Sequence, residues 1–166
     1  MNASELKGRA VVTLSDAEKI GRVDNILFDP TLRQVLGFRV RQAAHGPTET
    51  VLRSAVTSVG RDAVMIPDPQ ALNLEERFAE LAGAATLKQA QGMRLVSESG
   101  EAVGQVEDIE LDDDARIVTA YVLSGSILER LRHATPHVAA NKVLRVGAGG
   151  IMTIPDDVAT ELHSGT

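Results

Sequence analysis

The chain has 166 residues, a length that suits either one ordinary domain or two small ones. Hydrophobic residues make up 43% of it and charged residues 24%, proportions that favour a packed core and disfavour wholesale disorder. The formal net charge of −6 disfavours direct nucleic-acid binding, and the absence of cysteine excludes disulfides, thiolate nucleophiles and Cys-based zinc sites.

The first residues carry no recognisable targeting signal. Residues 1–7 lack the basic stretch and the apolar run of a signal peptide, and no window of the sequence reaches 18 uninterrupted apolar residues. A cysteine-free chain also suits a reducing compartment. We therefore expect a soluble, cytoplasmic protein without a membrane span.

The two halves of the sequence match each other when the chain is compared with itself at a shift near 83 residues. Residues 20–26 (IGRVDNI) fall on residues 103–109 (VGQVEDI) without a gap. The further matches keep the same order: Gly8 with Gly92, Arg33 with Arg116, Phe38 with Tyr121, Val59 with Val146, and Ile66 with Ile154. A period this long exceeds that of solenoid repeats, so it indicates duplication of a whole small domain.

The central strands are the clearest elements of each half. Leu36, Phe38 and Val40 alternate with small or charged residues, the pattern of a strand with one apolar face. In the preceding strand Val23 and Ile26 break this alternation, as do their counterparts in the second half. We therefore expect a β-bulge at the same place in both halves.

Turns and shorter strands complete each repeat. Turn-forming residues stand at 29–31 and 112–114, between the two longest strands. Shorter strands are predicted at 48–53, 56–60 and 62–66 in the first half, and at 136–140, 142–146 and 150–154 in the second. Many short strands with regular turns are typical of a small barrel that removes its exposed edges by closure.

Helices are predicted at three places. A capping box at Asn73 and Glu76 predicts a connecting helix over 73–82. A helix over 126–132 has no counterpart in the first half, and acidic residues at 156–157 would cap a short helix near the end of the chain. The second half therefore carries an insertion that the first half lacks.

These segments together resemble the PRC-barrel family, the module shared by the photosynthetic reaction-centre heavy subunit and the C-terminal domain of a ribosome-maturation factor. The resemblance rests on the leading strand at 8–12 (GRAVV), residues 20–26, the strand at 35–41 and the closing segment at 59–67, with their counterparts in the second half. It implies a mainly β fold and, since known members mostly serve as docking or assembly modules, a binding role.

The predicted organisation follows from the repeat and the resemblance. The fold class is mainly β, with two tandem small PRC-type β-barrels joined by a short helix. The segments are a first barrel at 1–69, a helical connector at 70–88, a second barrel at 89–156 with the inserted helix 126–132, and a short C-terminal helix and tail at 157–166.

Arginines of the first half are the leading candidates for partner binding. Arg39 and Arg41 share the outward face of one strand, while Arg33 at its entrance and Arg53 on a later strand would extend that surface. An arginine fork binds carboxylate and phosphate groups bidentately. Such a face suits an acidic partner, and a merely solvated face is the alternative.

The inserted helix is the second candidate surface. Ile127, Leu128 and Leu131 lie on it. They either cap an open end of the barrel or, where exposed, form an interface present in one repeat only.

Other polar groups favour ordinary structural roles. The acidic residues at 112–114 offer calcium-type oxygen ligands, but they lack the length and the distant glutamate of an EF-hand loop, which favours a solvated turn. His133 and His137 have a zinc-like spacing, but Pro136 interrupts the helix that would align them. No Gly-x-Ser-x-Gly elbow occurs. We therefore expect no catalytic residue, no metal and no cofactor.

The favoured function is a non-enzymatic scaffold that docks on a protein partner, with homodimer formation left open. One alternative is a ribosome-associated assembly factor, although the acidic balance and the scarcity of aromatic residues disfavour direct RNA contact. A second alternative is a small-molecule or ion-binding sensor, which ligand-dependent stabilisation would reveal.

Overall fold

The computed structural model describes residues 1–42, 46–124 and 136–164. Within these ranges the chain is mainly β-structure in two sheets, one for each half of the sequence. The helix predicted over 126–132 lies outside the described residues. In the described ranges no helix has the length and apolar character needed to cross a membrane.

The first half forms a seven-stranded sheet. Its strands are β1 (Ala10–Thr13), β2 (Lys19–Phe28), β3 (Val35–Arg41), β4 (Thr48–Leu52), β5 (Ser58–Val59), β6 (Ala63–Ile66) and β7 (Ala85–Thr86). Their order is β4-β3-β2-β1-β6-β5, and β7 pairs with β2. The β1–β6 pair is parallel, and the other pairs are antiparallel.

The second half repeats this topology in six strands. The strands are β8 (Arg94–Ser97), β9 (Ala102–Leu111), β10 (Val118–Ser124), β11 (His137–Ala139), β12 (Arg145–Val146) and β13 (Ile151–Ile154). Their order is β11-β10-β9-β8-β13-β12, again with one parallel pair, β8 with β13. Helix α1 (Leu87–Ala90) precedes these strands and helix α2 (Asp156–Ser164) follows them. The predicted duplication and mainly β fold are confirmed.

The predicted β-bulge is confirmed at equivalent positions of the two halves. On β2 the register with β3 shifts between Val23 and Asn25. On β9 the register with β10 shifts between Val106 and Asp108. Because the extra residue raises the local twist, both long strands bend at the same point and curl their sheets.

Each sheet is a curled half-barrel rather than a closed one. In the described ranges no ladder joins β5 back to β4, or β12 back to β11. The curl brings strands close together at Gly21, where a Cβ would lie 2.5 Å from the carbonyl oxygen of Arg41. A side chain there would force the backbones apart, so this glycine is required by packing.

The connector differs from the single helix predicted over 73–82. It forms short 3-10 turns at Glu75–Arg77 and Ala79–Leu81. The backbone of Asn73 exchanges hydrogen bonds of 2.7 and 3.0 Å with Thr50 of β4. Because Asn73 is held at the edge of the sheet, it does not start a helix. The helix predicted near the end of the chain is present as α2.

The two halves exchange their leading segments. Met1 lies beside Leu111 at the end of β9, with backbone hydrogen bonds of 2.7 and 3.0 Å in the two directions. Reciprocally, Ala85 of β7 pairs with Phe28 at the end of β2. Phe28 and Leu111 are equivalent in the repeat, so each half completes the other's long strand in the same way.

A second reciprocal contact joins the halves between β2 and β3 and between β9 and β10. Gln34 forms an antiparallel bridge with Ile117, its own equivalent in the repeat. The amide of Val35 donates to the carbonyl of Arg116 at 2.9 Å, and the amide of Val118 donates to the carbonyl of Arg33 at 2.9 Å. Contacts in which residue i meets j and j meets i are those of a two-fold arrangement.

The hydrophobic core is continuous across the two halves. Tyr121 on β10 is fully buried, and its hydroxyl donates a 2.9 Å hydrogen bond to the carbonyl of Leu32 in the first half. Leu32 itself is buried and has a φ of +55°, a conformation that non-glycine residues rarely adopt. The protein is therefore one packed unit built from two repeats.

We expect fragments 1–83 and 84–166 to fold stably only together. Each fragment alone would lose the leading segment that completes its long strand and would expose the shared core. Co-expressed fragments should co-purify as a one-to-one complex, and each alone should show weak, non-cooperative unfolding by circular dichroism. Two monomeric fragments with independent cooperative transitions would contradict this expectation.

The Tyr121→Phe variant should unfold about 1–2 kcal/mol more easily in urea at neutral pH, because the carbonyl of Leu32 loses a buried donor. Burial raises the pKa of Tyr121 to about 12 from an ordinary value of 10.0. The neutral hydroxyl therefore makes its full contribution to the free energy of unfolding below pH 10, and this contribution is lost as the pH rises toward 12. The stability difference between wild type and variant should shrink over that interval; a constant difference would contradict the assignment.

Candidate partner-binding surfaces

Arg39 on β3 is held in place by the connector. Its Nε atom donates to Glu75 Oε1 at 2.6 Å, and its Nη2 atom donates to Glu75 Oε2 at 3.0 Å. Thr50 of β4 donates a further hydrogen bond of 3.2 Å to the same carboxylate. The hydrogen bond from Arg39 lowers the pKa of Glu75, and the Glu75 carboxylate raises the pKa of Arg39. About a third of each side chain remains exposed.

Arg41 lies further along β3 on the same face. Its Nη2 atom is 3.1 Å from Asp24 Oδ1, and half of its side chain is exposed. Asp24 is the extra residue of the β2 bulge. The bulge thus directs a carboxylate toward β3, where it pairs with Arg41, while Glu75 holds Arg39.

Arg39, Glu75 and Asp24 line a shallow groove of about 390 Å³, which we call the Arg39 groove, and Arg41 contacts this lining through Asp24. Its lining residues are Asp24, Arg39, Thr48, Thr50, Leu74, Glu75 and Glu76. Leu74 is 42% exposed and lies beside four charged groups. The groove combines an accessible apolar side chain with fixed charges of both signs, an arrangement found at protein interfaces.

The second half has no such charges on the equivalent strand. The positions that correspond to Arg39 and Arg41 are Val122 and Ser124 on β10. Val122 is buried, whereas Arg39 is partly exposed. The same strand therefore folds with or without arginines, and the charge of this face is particular to the first half.

Arg33 and Arg53 do not extend the face of Arg39 and Arg41. Arg33 donates a 2.9 Å hydrogen bond to the carbonyl of Val143, and Arg53 donates bonds of 3.2 and 2.7 Å to the carbonyl of Asp114. Arg53 is 5% exposed, and burial together with the nearby Arg116 lowers its pKa. Both arginines brace the junction between the halves.

The other candidate groups are placed as follows. Ile127, Leu128 and Leu131 lie outside the described residues. Asp112 in the acidic turn accepts hydrogen bonds from two amides of its own turn, at 2.8 and 3.0 Å. The Nδ1 atom of His137 lies 3.0 Å from the Oε2 atom of Glu110. In the ranges that the structure describes, no three His, Cys, Asp or Glu side chains form a group that could hold a metal ion.

A larger cleft, which the sequence did not lead us to expect, lies where the two halves meet. We call this space of about 520 Å³ the junction cleft. Its walls come from the turn after β2, the segment before α1, Met93 and the turn between β12 and β13. The lining is mostly small or apolar, including Pro30, Leu32, Gly83 and Gly147. The only sequence signal for it is the run of small residues at 147–150, which reads simply as a turn.

The Glu75→Gln variant should lose about 0.5 kcal/mol of stability at pH 7, since the ion pair with Arg39 is partly exposed. Glu75 has a lowered pKa in the folded state, so its contribution is present above the ordinary value of 4.5 and is lost as the pH falls through the folded value. Urea unfolding at pH 7 and at a series of lower pH values should show the difference shrinking as the pH falls below 4.5. The matched control at pH 7 is Glu76→Gln, a neighbouring exposed carboxylate outside the ion pair with Arg39.

Comparison with known protein families identifies the repeated unit. The model of the PRC-barrel domain matches twice, at residues 1–73 and 85–155. Comparison with curated proteins gave no significant match. PRC-barrel domains are generally protein-interaction modules. The two matched regions coincide with the two half-barrels and cover most of the chain. The chain therefore belongs to the PRC-barrel family and carries the domain twice in tandem.

Proposed function

We propose that this protein is a non-enzymatic adaptor that docks on a protein partner through the Arg39 groove. The observation that carries the proposal is the difference between the repeats. Arg39 and Arg41 are replaced by Val122 and Ser124 in a strand of the same topology. The strand itself therefore does not require these charges, and the family role in protein interaction supports their use in recognition.

The geometry of the groove suits binding with a small entropic cost. Arg39 is fixed by two hydrogen bonds to Glu75, so little side-chain freedom is lost when a partner arrives. Leu74 supplies apolar area to the lining, and Arg41 stands beside Asp24 with half of its side chain exposed. Apolar burial would supply affinity, while the charges would set orientation and encounter rate.

The partner is expected to present an apolar side chain for Leu74 and an acidic group for the arginines. Such a group would compete with Asp24 for Arg41, because that ion pair is open to solvent. Partner binding by Arg33 and Arg53 is the weaker part of the proposal, since their donors are used on carbonyls of the second half.

The Arg39→Glu, Arg41→Glu double variant should bind the partner at least about tenfold more weakly, because two charges of the groove are reversed. Crosslinking and mass spectrometry in the source cell would identify the partner, and titration calorimetry with the purified partner would measure the loss. The milder Arg39→Gln, Arg41→Gln variant covers the case in which a glutamate beside Glu75 unfolds the groove.

The matched control is Arg61→Glu, Arg145→Glu, which makes the same change of charge at two other exposed arginines. It should leave the affinity within about twofold of wild type. An equal loss of affinity in both double variants would mean that net charge alone causes it, which would overturn the proposal that the partner binds at the Arg39 groove. Crosslinks to ribosomal particles alone would favour the assembly-factor alternative instead.

A further inference from the structure

Arg9 and Met93 occupy equivalent places in the two halves, with the same backbone hydrogen bonds. The amide of Arg9 donates to Leu6 and that of Met93 donates to Ala90, both at 3.1 Å. Their carbonyls accept from equivalent residues of the long strands, at 2.9 and 2.8 Å. The two side chains therefore leave the backbone at corresponding points of a shared framework.

In the first half the side chain of Arg9 spans from one carbonyl to another. Its Nη1 atom donates to the carbonyl of Gly60 at 2.7 Å, and its Nη2 atom donates to the carbonyl of Glu5 at 3.4 Å. The residue as a whole is half-buried. The guanidinium thus lies against the turn that joins β5 to β6.

In the second half the three equivalent residues line the junction cleft. They are Met93, Gly147 and Gln89, which correspond to Arg9, Gly60 and Glu5. The turns are related but differ in length: the amide of Gly60 donates to Ala63 at 2.9 Å, and the amide of Gly147 donates to Ile151, one residue further along, at 2.8 Å. Methionine has no donor for these carbonyls. The cleft therefore lies where the first half holds its own guanidinium.

The described lining of the cleft suits a long side chain with an apolar stem and a donor at its end. It holds no charged side chain, and it combines apolar walls with backbone carbonyl acceptors. The carbonyl of Gly147 accepts a long hydrogen bond, 3.3 Å from the amide of Gly150. A long cationic side chain buries its methylene groups along apolar walls and keeps its charged end among acceptors. The guanidinium adds a planar set of donors that suits two carbonyls at once.

We propose that the junction cleft binds an arginine side chain of a partner polypeptide, which takes the place that Arg9 occupies in the first half. This inference rests on the proposed adaptor function and adds a second contact, distinct from the Arg39 groove. Because the walls come from both halves, the contact would form only on the assembled pair of repeats.

Capped arginine, N-acetyl-L-arginine N-methylamide, is the probe of choice. It is titrated into full-length protein labelled with 15N and with 13C at the methionine methyl groups. We expect saturable NMR shifts confined to the Met93 methyl and to the amides of Gly83, Gly147 and Gly150. The citrulline counterpart keeps the shape but lacks the charge, and it should bind about fivefold to tenfold more weakly.

Met93→Arg and Arg9→Met test the equivalence of the two places in opposite directions, and Met93→Leu is the control. Met93→Arg should supply the cleft with its own guanidinium and abolish probe binding, whereas Met93→Leu should retain it. Arg9→Met should open the equivalent space in the first half and create a second site, with new shifts at Gly60. Circular dichroism melts check that each variant is folded.

Three outcomes would overturn the inference. They are the absence of saturable shifts with capped arginine, equal binding of the citrulline counterpart, and tighter binding of free L-arginine than of the capped form. The last result would assign the cleft to a small molecule. If capped arginine fails to bind the cleft, the proposed function of the Arg39 groove still stands, because the double variant of the groove is measured with the protein partner and not with capped arginine.

Discussion

The reciprocal exchange of leading segments is the constraint on which the rest of the structure depends. A long strand with an unpaired end exposes backbone donors and acceptors, and each half covers that end of the other. The bridge between Gln34 and Ile117 joins equivalent residues, so the same two-fold relation governs both contacts. The two repeats therefore form an internal dimer with a continuous core rather than independent domains on a string.

Because the same fold occurs twice in this internal dimer, equivalent residues of the two repeats show which features recur and which differ. Features that recur in both repeats, such as the bulge and the turn carboxylates of Asp29 and Asp112, serve the fold. Some features of one repeat also serve the fold, such as the Tyr121 hydroxyl that bonds to Leu32. Arg39, whose equivalent is Val122, and Arg9, whose equivalent is Met93, are two differences among the described residues that shape accessible surfaces.

Local patterns predicted the strands, the turns and the bulge because each depends on neighbouring residues. The connector helix failed because Asn73, a good helix cap in isolation, is held by backbone bonds to Thr50. The roles of Arg33 and Arg53 were hidden for a related reason: their partners, the carbonyls of Val143 and Asp114, belong to the other repeat. Hydrophobic periodicity predicts on which face of a strand a residue lies, but the contacts of that face depend on how the repeats pack together.

Both proposed surfaces lie where the two repeats differ, but their dependence on the internal dimer is unequal. The Arg39 groove is built from the first half and its connector, so its geometry depends on the ion pair with Glu75. The junction cleft takes its walls from both halves, so any ligand there binds the assembled state and stabilises the contact between repeats. Occupation of the cleft would therefore tighten the internal dimer, whereas occupation of the groove would leave it unchanged.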